Sequence, residues 1–337
     1  MHNDQFHIVP VDQVGDSQLR GFATSTWGKD GWEEVKKAWW RDGTYAATIA
    51  AVETGSNTMA GLCVAVPSEW AMPDGRDVKA VSICGWYVSP AYMGNGLGKM
   101  LVRSFTVPSM NALSISDAAV ENFAKMGWVG PFSSYLRLLP LPALRRRKKN
   151  PRFWVRSHEV SAGSMSTDLI AALDVIDVAR PETVLRRKRR AHDWNAFLQM
   201  RPARRVQFHL LYDRERPVGY FVMRSTDQEA GRQYRLARLH YVSDVVLNSL
   251  QPELVGFAID SMAAAAPATA GAVLLCTTSD TLAKAATVNG WMDEGTPGLG
   301  RRLARKAPRY MLAGQFAAIP SENFWLTFVD SDVDLNI

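Results

Sequence analysis

Residues 86–101, WYVSPAYMGNGLGKML, join the end of a predicted β-strand to the start of a predicted helix through a glycine-rich turn. The strand, Val78–Val88, is rich in β-forming residues, and apolar residues recur at helical spacing after the turn. Gly94, Gly96 and Gly98 allow the backbone to approach a ligand closely. The free N–H groups and the dipole at a helix start favour an anion. The turn is therefore predicted to bind a phosphate or pyrophosphate.

The residues around this turn argue against two familiar phosphate-binding motifs. The Gly-Lys-Ser/Thr sequence that closes a P-loop does not follow it. A dinucleotide-binding fold would begin with this unit and place an acidic residue at the end of the next strand. Here a predicted hairpin, Thr44–Val52 with Thr58–Val66, comes first, and the next strand ends at Ser116-Asp117. Spacing alone leaves the identity of the nucleotide open.

Outward from the turn, hydrophobic periodicity predicts a mixed α/β domain. The further elements of this half are strands Phe6–Val11, Ala112–Ile115 and Ser133–Leu139 and helices Asp16–Ser25, Gly31–Arg41 and Asp117–Lys125. A basic, proline-flanked segment follows at 143–152. We therefore predict an N-terminal domain over residues 1–142, a linker over 143–152, and a second domain over 153–337.

The second half repeats the order of the first. Its predicted elements are strands Phe153–Val160, Val206–Tyr212, Pro217–Arg224, Tyr234–Val242 and Phe324–Val329, helix Ser166–Val178, and a basic helical stretch Pro181–Gln199. Residues 277–291, TTSDTLAKAATVNGW, resemble residues 114–128, SISDAAVENFAKMGW, at an offset of 163 (277 minus 114). Tyr87-Val88-Ser89 recurs as Tyr241-Val242-Ser243 at a different offset. These matches favour a duplication.

The charge of the protein is concentrated in two places. The 337 residues include 39 Lys and Arg against 33 Asp and Glu, a net charge of +6. Two clusters hold 11 of the basic residues: Arg145, Arg146, Arg147, Lys148, Lys149 and Arg152, then Arg186, Arg187, Lys188, Arg189 and Arg190. Such local patches suit a phosphate-bearing ligand or an anionic membrane surface better than specific nucleic-acid binding; the alternative is a solvated linker and a solvated helix.

The remaining composition predicts an ordinary protein of a reducing compartment. Hydrophobic residues make up 47% and charged residues 21% of the chain, which excludes collagen, a coiled coil and a mainly disordered chain. Three scattered cysteines provide neither a disulfide scaffold nor a closed zinc site. The N-terminus lacks the pattern of a signal peptide, and the longest weakly apolar run, Met262–Leu275, is too short to span a bilayer. We expect a cytoplasmic location and no metal cofactor.

The order of elements, with the turn at Met93-Gly94-Asn95-Gly96-Leu97-Gly98, resembles the GNAT superfamily of acyl-CoA N-acyltransferases. The pyrophosphate motif of that superfamily is Q/R-x-x-G-x-G/A, and Met93 departs from it at the first position. The resemblance covers residues 5–139 and is weaker over 153–337. It implies a tandem fold of two GNAT-like halves, an α/β structure with mixed sheets and a degenerate second half.

The resemblance implies cofactor contacts by position. The backbone of Trp86, Tyr87 and Val88 would bond the thioester carbonyl and the pantetheine arm of acetyl-CoA or another acyl-CoA. Ser116 would face the cofactor arm. The N–H groups that would hold the pyrophosphate are those of Gly94, Asn95, Gly96, Leu97, Gly98 and Lys99, next to Met93.

The catalytic residues are less clearly indicated. Phe123 stands where many GNAT members have the Tyr that protonates the leaving thiolate, and Phe has no proton to donate. The general base must accept a proton from the amine. Its candidates are Asp117, Glu121, His240, Asp330 and Asp332, of which Asp117 is also a candidate helix cap and His240 a candidate structural strand residue.

These observations predict acetyl transfer to a primary amine. Trp27, Trp32, Trp39 and Trp40 lie in the segment that lines the acceptor groove in GNAT members, and because Trp faces stack on sugars they favour an amino sugar or glycan-pathway intermediate; core packing is the alternative. The second half lacks the glycine turn, so we expect it to complete the acceptor site. The alternative function is a non-catalytic CoA-binding or basic-patch docking module.

Overall fold

The computed structural model describes most of the chain and divides it into two compact units. The first unit comprises Met1–Glu69, Val78–Pro131 and Tyr310–Ala318, and the second comprises Trp70–Asp77, Phe132–Arg309 and Ile319–Ile337. The described residues are 5–28, 47–113, 115–140, 152–160, 165–179, 184–188, 194, 206–225, 239–266, 270–293, 295–297, 309–320 and 323–327.

The first unit is built on a mixed sheet with helices. Its strands lie in the order β1-β2-β3-β4-β5-β14-β6. The elements are β1 (Phe6–Pro10), α1 (Asp16–Trp27), β2 (Ile49–Glu53), β3 (Met59–Ala71), β4 (Asp77–Val88), α2 (Leu97–Arg103), β5 (Ser109–Leu113), α3 (Asp117–Lys125), β6 (Val129–Ser133) and β14 (Arg309–Gly314). Strands β4 and β5 are parallel, whereas β1, β2 and β3 pair antiparallel in sequence.

The second unit contains a sheet of the order β7-β13-β12-β11-β10-β8. Its elements are β7 (Tyr135–Pro140), β8 (Phe153–Val160), α4 (Thr167–Val178), β9 (Leu185–Arg187), β10 (Val206–Asp213), β11 (Arg216–Ser225), β12 (Leu239–Leu247), α5 (Pro252–Ala265), β13 (Ala272–Thr277), α6 (Asp280–Val288) and β15 (Phe324–Trp325). The last residues of β3, Trp70 and Ala71, pair with β9 in this unit, and β9 pairs with β15.

Each unit takes one strand from the other half of the sequence. In the first unit the antiparallel neighbour of β5 is β14, with Tyr310 opposite Leu113. In the second unit the antiparallel neighbour of β13 is β7, with Ala272 opposite Pro140. The compact units therefore follow a different division from the one predicted from the sequence, 1–142 and 153–337, which stays a prediction.

The repeated sequence folds in the same way in both units. Ser116 caps α3 by accepting the Ala119 N–H at 3.3 Å, and Ser279 caps α6 by accepting the Leu282 N–H at 3.4 Å. A left-handed glycine ends each helix, and a buried tryptophan follows it. These residues are Gly127 with Trp128 and Gly290 with Trp291. The serine caps and the glycine ends of the repeated sequence thus coincide in local geometry.

One predicted helix differs from the structure, and another helix of the structure was not predicted. Within the stretch Pro181–Gln199, predicted as a basic helix, residues Leu185–Arg187 form a strand because Leu185 and Arg186 are buried against a neighbouring strand rather than solvated on a helix face. Helix α5 was not predicted. It is apolar on several sides, with Leu254, Val255 and Ile259 among its buried residues, so its hydrophobic periodicity is weak.

The exchanged strand β14 depends on a glycine at its end. Gly314 has a φ of +65°, and a Cβ there would lie 2.1 Å from the Pro108 carbonyl oxygen. Gly314→Ala should therefore lower the free energy of unfolding by about 2 kcal/mol or more, measured by chemical denaturation. Gly55→Ala is the control, because Gly55 has open space around it and no positive φ. Equal stability of the two variants would contradict the described end of β14.

Candidate functional site

The parallel strands at the centre of the first unit separate before β4 ends. Their described pairs run from Ala80–Ser109 to Ile83–Ala112, while β4 continues to Val88. Backbone N–H and C=O groups past the last pair no longer face β5, and buried backbone groups need partners. This opening, which we call the first splay, contains the predicted cofactor residues Trp86, Tyr87 and Val88.

The turn that follows β4 is held open by two left-handed glycines. Gly94 has a φ of +86° and Gly96, the N-cap of α2, has a φ of +74°. A Cβ at either residue would meet no atom within 4 Å, so the space in front of the turn is empty of protein atoms among the described residues. The first N–H groups of a helix have no partner within it. The turn thus presents N–H groups at an accessible surface, as an anion site requires.

A tyrosine in the turn ties it to the β2–β3 hairpin. The Tyr92 hydroxyl donates to Glu53 Oε2 at 3.1 Å, and its ring meets the Phe6 ring edge-on at 5.5 Å. Hydrogen bonds from Ser56, Gln5 and Tyr92 lower the pKa of Glu53. Burial and the hydrogen bond to Glu53 raise the pKa of Tyr92. Gly94 and Gly96 give the turn its open shape, and the contacts of Tyr92 hold the first residues of the turn in place.

Trp86 packs between the two helices beside the first splay. A Cβ at Gly98 would lie 2.6 Å from Cζ2 of Trp86, so the indole lies directly against the first turn of α2. The Trp86 ring centroid is 5.1 Å from that of Phe123 in α3. Phe123 in turn is buried against Trp128. Gly98 is therefore needed for close packing, whereas Gly94 and Gly96 provide the backbone conformation of the turn.

The structure assigns Ser116 and Asp117 a capping geometry. Ser116 is the N-cap of α3, and Asp117 lies in its first turn, where a carboxylate favours the helix dipole. The expectation that Asp117 itself is the cap is thereby corrected, since the serine oxygen accepts the Ala119 N–H. A role of Asp117 as base, and of Ser116 at the cofactor arm, stays a prediction.

The other base candidates are spread through the chain. Glu121 is exposed and pairs with Lys125 at 3.8 Å. His240 is half-buried in β12, and burial lowers its pKa, so it is neutral over a wider pH range than a free histidine. Asp330 and Asp332 lie outside the described residues, as do Trp32, Trp39 and Trp40.

The described members of the basic clusters make specific contacts. Arg186 is buried and donates to the carbonyls of Ile176 and Asp177. Lys188 pairs with Asp77 at 2.7 Å, and Arg152 pairs with Asp213 at 2.6 Å. These three side chains therefore stabilise their own unit, which corrects the picture of two wholly solvated clusters; the rest of both clusters, apart from Arg187, lies outside the described residues.

Two absences hold for the part of the chain that the structure describes. No helix in it is long and apolar enough to cross a membrane. No group of three or more His, Cys, Asp or Glu side chains in it is placed to hold a metal ion.

Comparison with known proteins finds a family model that matches part of the chain. Residues 16–107 match the model of the acetyltransferase (GNAT) family. These residues include the part of β4 that borders the first splay, the glycine turn and α2. No curated protein sequence matches the chain.

Several solved structures share the fold. A GCN5-related N-acetyltransferase from Anabaena variabilis aligns over 94% of this chain and 74% of its own length, with 13% identity and a TM-score of 0.58. A probable N-acyltransferase of unknown function from Enterococcus faecalis aligns over 94% and 74%, with 12% identity and a TM-score of 0.56. N-myristoyltransferase from Saccharomyces cerevisiae with bound myristoyl-CoA aligns over 92% and 83%, with 11% identity and a TM-score of 0.50.

These findings confirm the predicted resemblance. The fold is that of the GNAT acyltransferases, and the family match lies on the residues whose glycine turn suggested it. Together the match and the fold support an enzyme of the N-acetyltransferase type. At these identities the structural neighbours carry no information on the acceptor.

The contact between Gly98 and Trp86 can be tested by a double-mutant cycle. Gly98→Ala should destabilise the protein by about 1–3 kcal/mol, because the added methyl group displaces the indole. The double variant with Trp86→Ala should lose less stability than the sum of the losses in the two single variants, with a coupling free energy of about 1 kcal/mol. Gly21→Ala, in a helix with open space around it, should not destabilise. Additive effects would mean that the indole does not pack on Gly98.

Proposed function

From the GNAT fold and the family match over residues 16–107, we propose that this protein transfers an acyl group from acyl-CoA to a primary amine. The observation that carries the proposal is the open turn at the end of β4, with Gly94 and Gly96 in left-handed conformations and free space in front of both. Acetyl-CoA is the proposed donor, used as co-substrate.

The cofactor is proposed to bind along β4 and the turn. The N–H groups from Gly94 to Lys99 would hold the pyrophosphate, and the dipole of α2 would add to their attraction. The backbone of residues 86–88 would pair with the pantetheine arm in the opening beyond Ile83, where the described pairing of β4 with β5 ends. Met93 is 64% exposed. Its backbone, and not its side chain, would contact the ligand.

The proposed reaction is a direct transfer. The amine nitrogen attacks the thioester carbonyl carbon, the new C–N bond forms, and the C–S bond breaks with CoA thiolate as leaving group. The amine proton passes to a carboxylate, for which we propose Asp330 or Asp332, with Asp117 as the alternative. The thiolate takes a proton from water or from another group, because buried Phe123 has none to give. Positioning of the two substrates supplies most of the rate increase.

An amino sugar or glycan-pathway intermediate is the proposed acceptor class. Trp27 is 38% exposed, and its ring meets the ring of Tyr87, in the part of β4 beyond its last pair with β5, at 4.9 Å. An exposed indole at this place is a suitable surface for the apolar face of a sugar ring. The contribution of the second half to the acceptor site and a peripheral contact with an anionic membrane stay predictions.

A non-catalytic CoA-binding module is the second candidate. The buried phenyl ring of Phe123, which cannot act as an acid, is the observation that favours it. Both candidates bind acetyl-CoA, but only the enzyme releases thiol when an amine is added.

Cofactor binding is tested by two glycine variants with the same backbone strain. Gly96→Val should reduce acetyl-CoA affinity at least about tenfold in calorimetry, because a side chain projects into the space of the pyrophosphate. Gly75→Val is the control, since Gly75 has a φ of +90° and open space but lies in the turn between Met72 and Arg76. Equal affinity in the two variants would mean that the turn does not bind the cofactor.

The proton acceptor is tested by Asp330→Asn, Asp332→Asn and Asp117→Asn, assayed by thiol release over a panel of amino sugars and other amines. Removal of the base should lower kcat about 100-fold and leave the affinity for acetyl-CoA unchanged, because only deprotonation of the amine is affected. Full turnover in all three variants would exclude these carboxylates. Binding without thiol release in the unaltered protein, over the whole panel, would favour the non-catalytic module.

A further inference from the structure

The second unit contains an opening like the first splay. Strands β12 and β13 are parallel, with described pairs from Leu239–Ala272 to Val242–Leu275. Strand β12 then continues to Leu247, and its register with β11 shifts at Ser243. We call the opening beyond the last pair the second splay. The same number of described parallel pairs precedes each of the two splays.

A segment from the C-terminal part of the chain lies across the second splay. Towards β12, the Trp325 indole N–H donates to the Val245 carbonyl at 2.7 Å. Towards β13, Thr327 forms an antiparallel bridge with Thr277. The Thr278 N–H donates to the Leu326 carbonyl at 3.1 Å, and the Leu326 N–H donates to the Thr278 hydroxyl at 2.9 Å. The segment therefore connects the two strands where they no longer pair with each other.

The segment is buried as completely as the sheet around it. Phe324, Trp325, Leu326 and Thr327 are between 1% and 4% exposed. Its contacts combine backbone pairing with apolar burial, as in the recognition of an extended peptide by a strand edge. The backbone groups that a separation of strands leaves without partners are satisfied here from within the chain.

A buried carboxylate holds the end of this segment. Asp244 is 0% exposed, and its Oδ1 accepts the Thr327 hydroxyl at 2.8 Å and the Val245 N–H at 2.9 Å. Its Oδ2 accepts the Tyr220 hydroxyl at 2.9 Å. A carboxylate without water needs such donors, and hydrogen bonds to a charged group are stronger than those to a neutral one. Asp244 thus fixes Thr327, the last residue that the structure describes.

We propose that Phe324–Thr327 is an intramolecular ligand of the second splay. It occupies there the place that acyl-CoA takes in the first splay under the proposed function, on which this inference rests. The chain then has one acyl-CoA site. Asp244 and Thr327 hold the segment in that place.

The test compares two hydroxyl deletions on the same carboxylate. Thr327→Val and Tyr220→Phe each remove one donor to Asp244 and keep the shape of the side chain, but only the first releases the C-terminal segment. Amide hydrogen exchange is measured at Leu326 and Thr278. We expect exchange at least about tenfold faster in Thr327→Val than in Tyr220→Phe, since one charge-assisted hydrogen bond is lost at the segment itself. Thr327→Ser should restore slow exchange.

Stoichiometry gives a readout that a loss of stability alone does not move. Calorimetry on the full-length protein should give one acetyl-CoA per chain. Should Thr327→Val fail to fold, Trp325→Phe removes the bond to Val245 and should accelerate the same exchange.

The inference and the proposed function fail in different ways. Two bound acetyl-CoA molecules per chain, or equal exchange rates in the two hydroxyl variants, would overturn the intramolecular ligand. An unaltered protein that binds no acetyl-CoA would overturn the proposed function, while the exchange comparison would still decide whether the segment is held by Asp244.

Discussion

The separation of two parallel strands is the constraint on which each unit depends. Past Ile83 in β4 and past Val242 in β12, the described pairing with the neighbouring parallel strand ends while the strand itself goes on. Backbone groups at such a point need partners that the sheet does not supply. In the second unit the chain supplies them itself, through Trp325 and Leu326. In the first unit the same geometry adjoins an open glycine turn, and that difference is the physical basis for assigning a ligand to one unit only.

The exchange of β7 and β14 shows why the domain boundary was not visible in the sequence. β7 lies at the edge of the second sheet and β14 lies between β5 and β6 in the first, and sequence distance carries no information on which sheet a short apolar strand joins. The fragment 1–142 contains β7, which belongs to the second unit, and lacks β14, which pairs with β5. Cutting the chain there would leave β5 without its antiparallel neighbour.

Local patterns were the most reliable guides to the structure. The central strand, the turn with its glycines, and the helix Asp117–Lys125 were all predicted from residue type and spacing, because caps, glycines and prolines act within a few residues. The repeat of 114–128 at 277–291 is equally a local signal, and its serine caps and Gly-Trp endings coincide in the structure. The resemblance to the GNAT fold followed from the order of these elements.

Contacts between residues that are far apart in the sequence could not be predicted from local patterns. Tyr87-Val88-Ser89 and Tyr241-Val242-Ser243 match as letters, but the parallel pairing places Val242 opposite Leu275 as Ile83 is placed opposite Ala112, so the two tripeptides occupy different positions along their strands. Two other contacts could not be predicted without the structure: the packing of Trp86 on Gly98 and the hydrogen bond from Tyr92 to Glu53. No sequence spacing marks the residues of either pair as neighbours.

Counted from the last parallel pair, Gly85 in β4 corresponds to Asp244 in β12, and this single position explains how similar sheets come to differ. Gly85 has no side chain, and a Cβ there would lie 2.7 Å from the Tyr87 ring, so the aromatic ring fills the room that another side chain would take. Asp244 places a carboxylate at the equivalent point, where it binds the Thr327 hydroxyl. Buried carboxylate oxygens need hydrogen-bond donors, and the oxygens of a fully ionised phosphate group supply none. The second splay is therefore suited to a neutral segment of the chain, and the first, with its glycine turn and no carboxylate at this position, to a phosphate-bearing one.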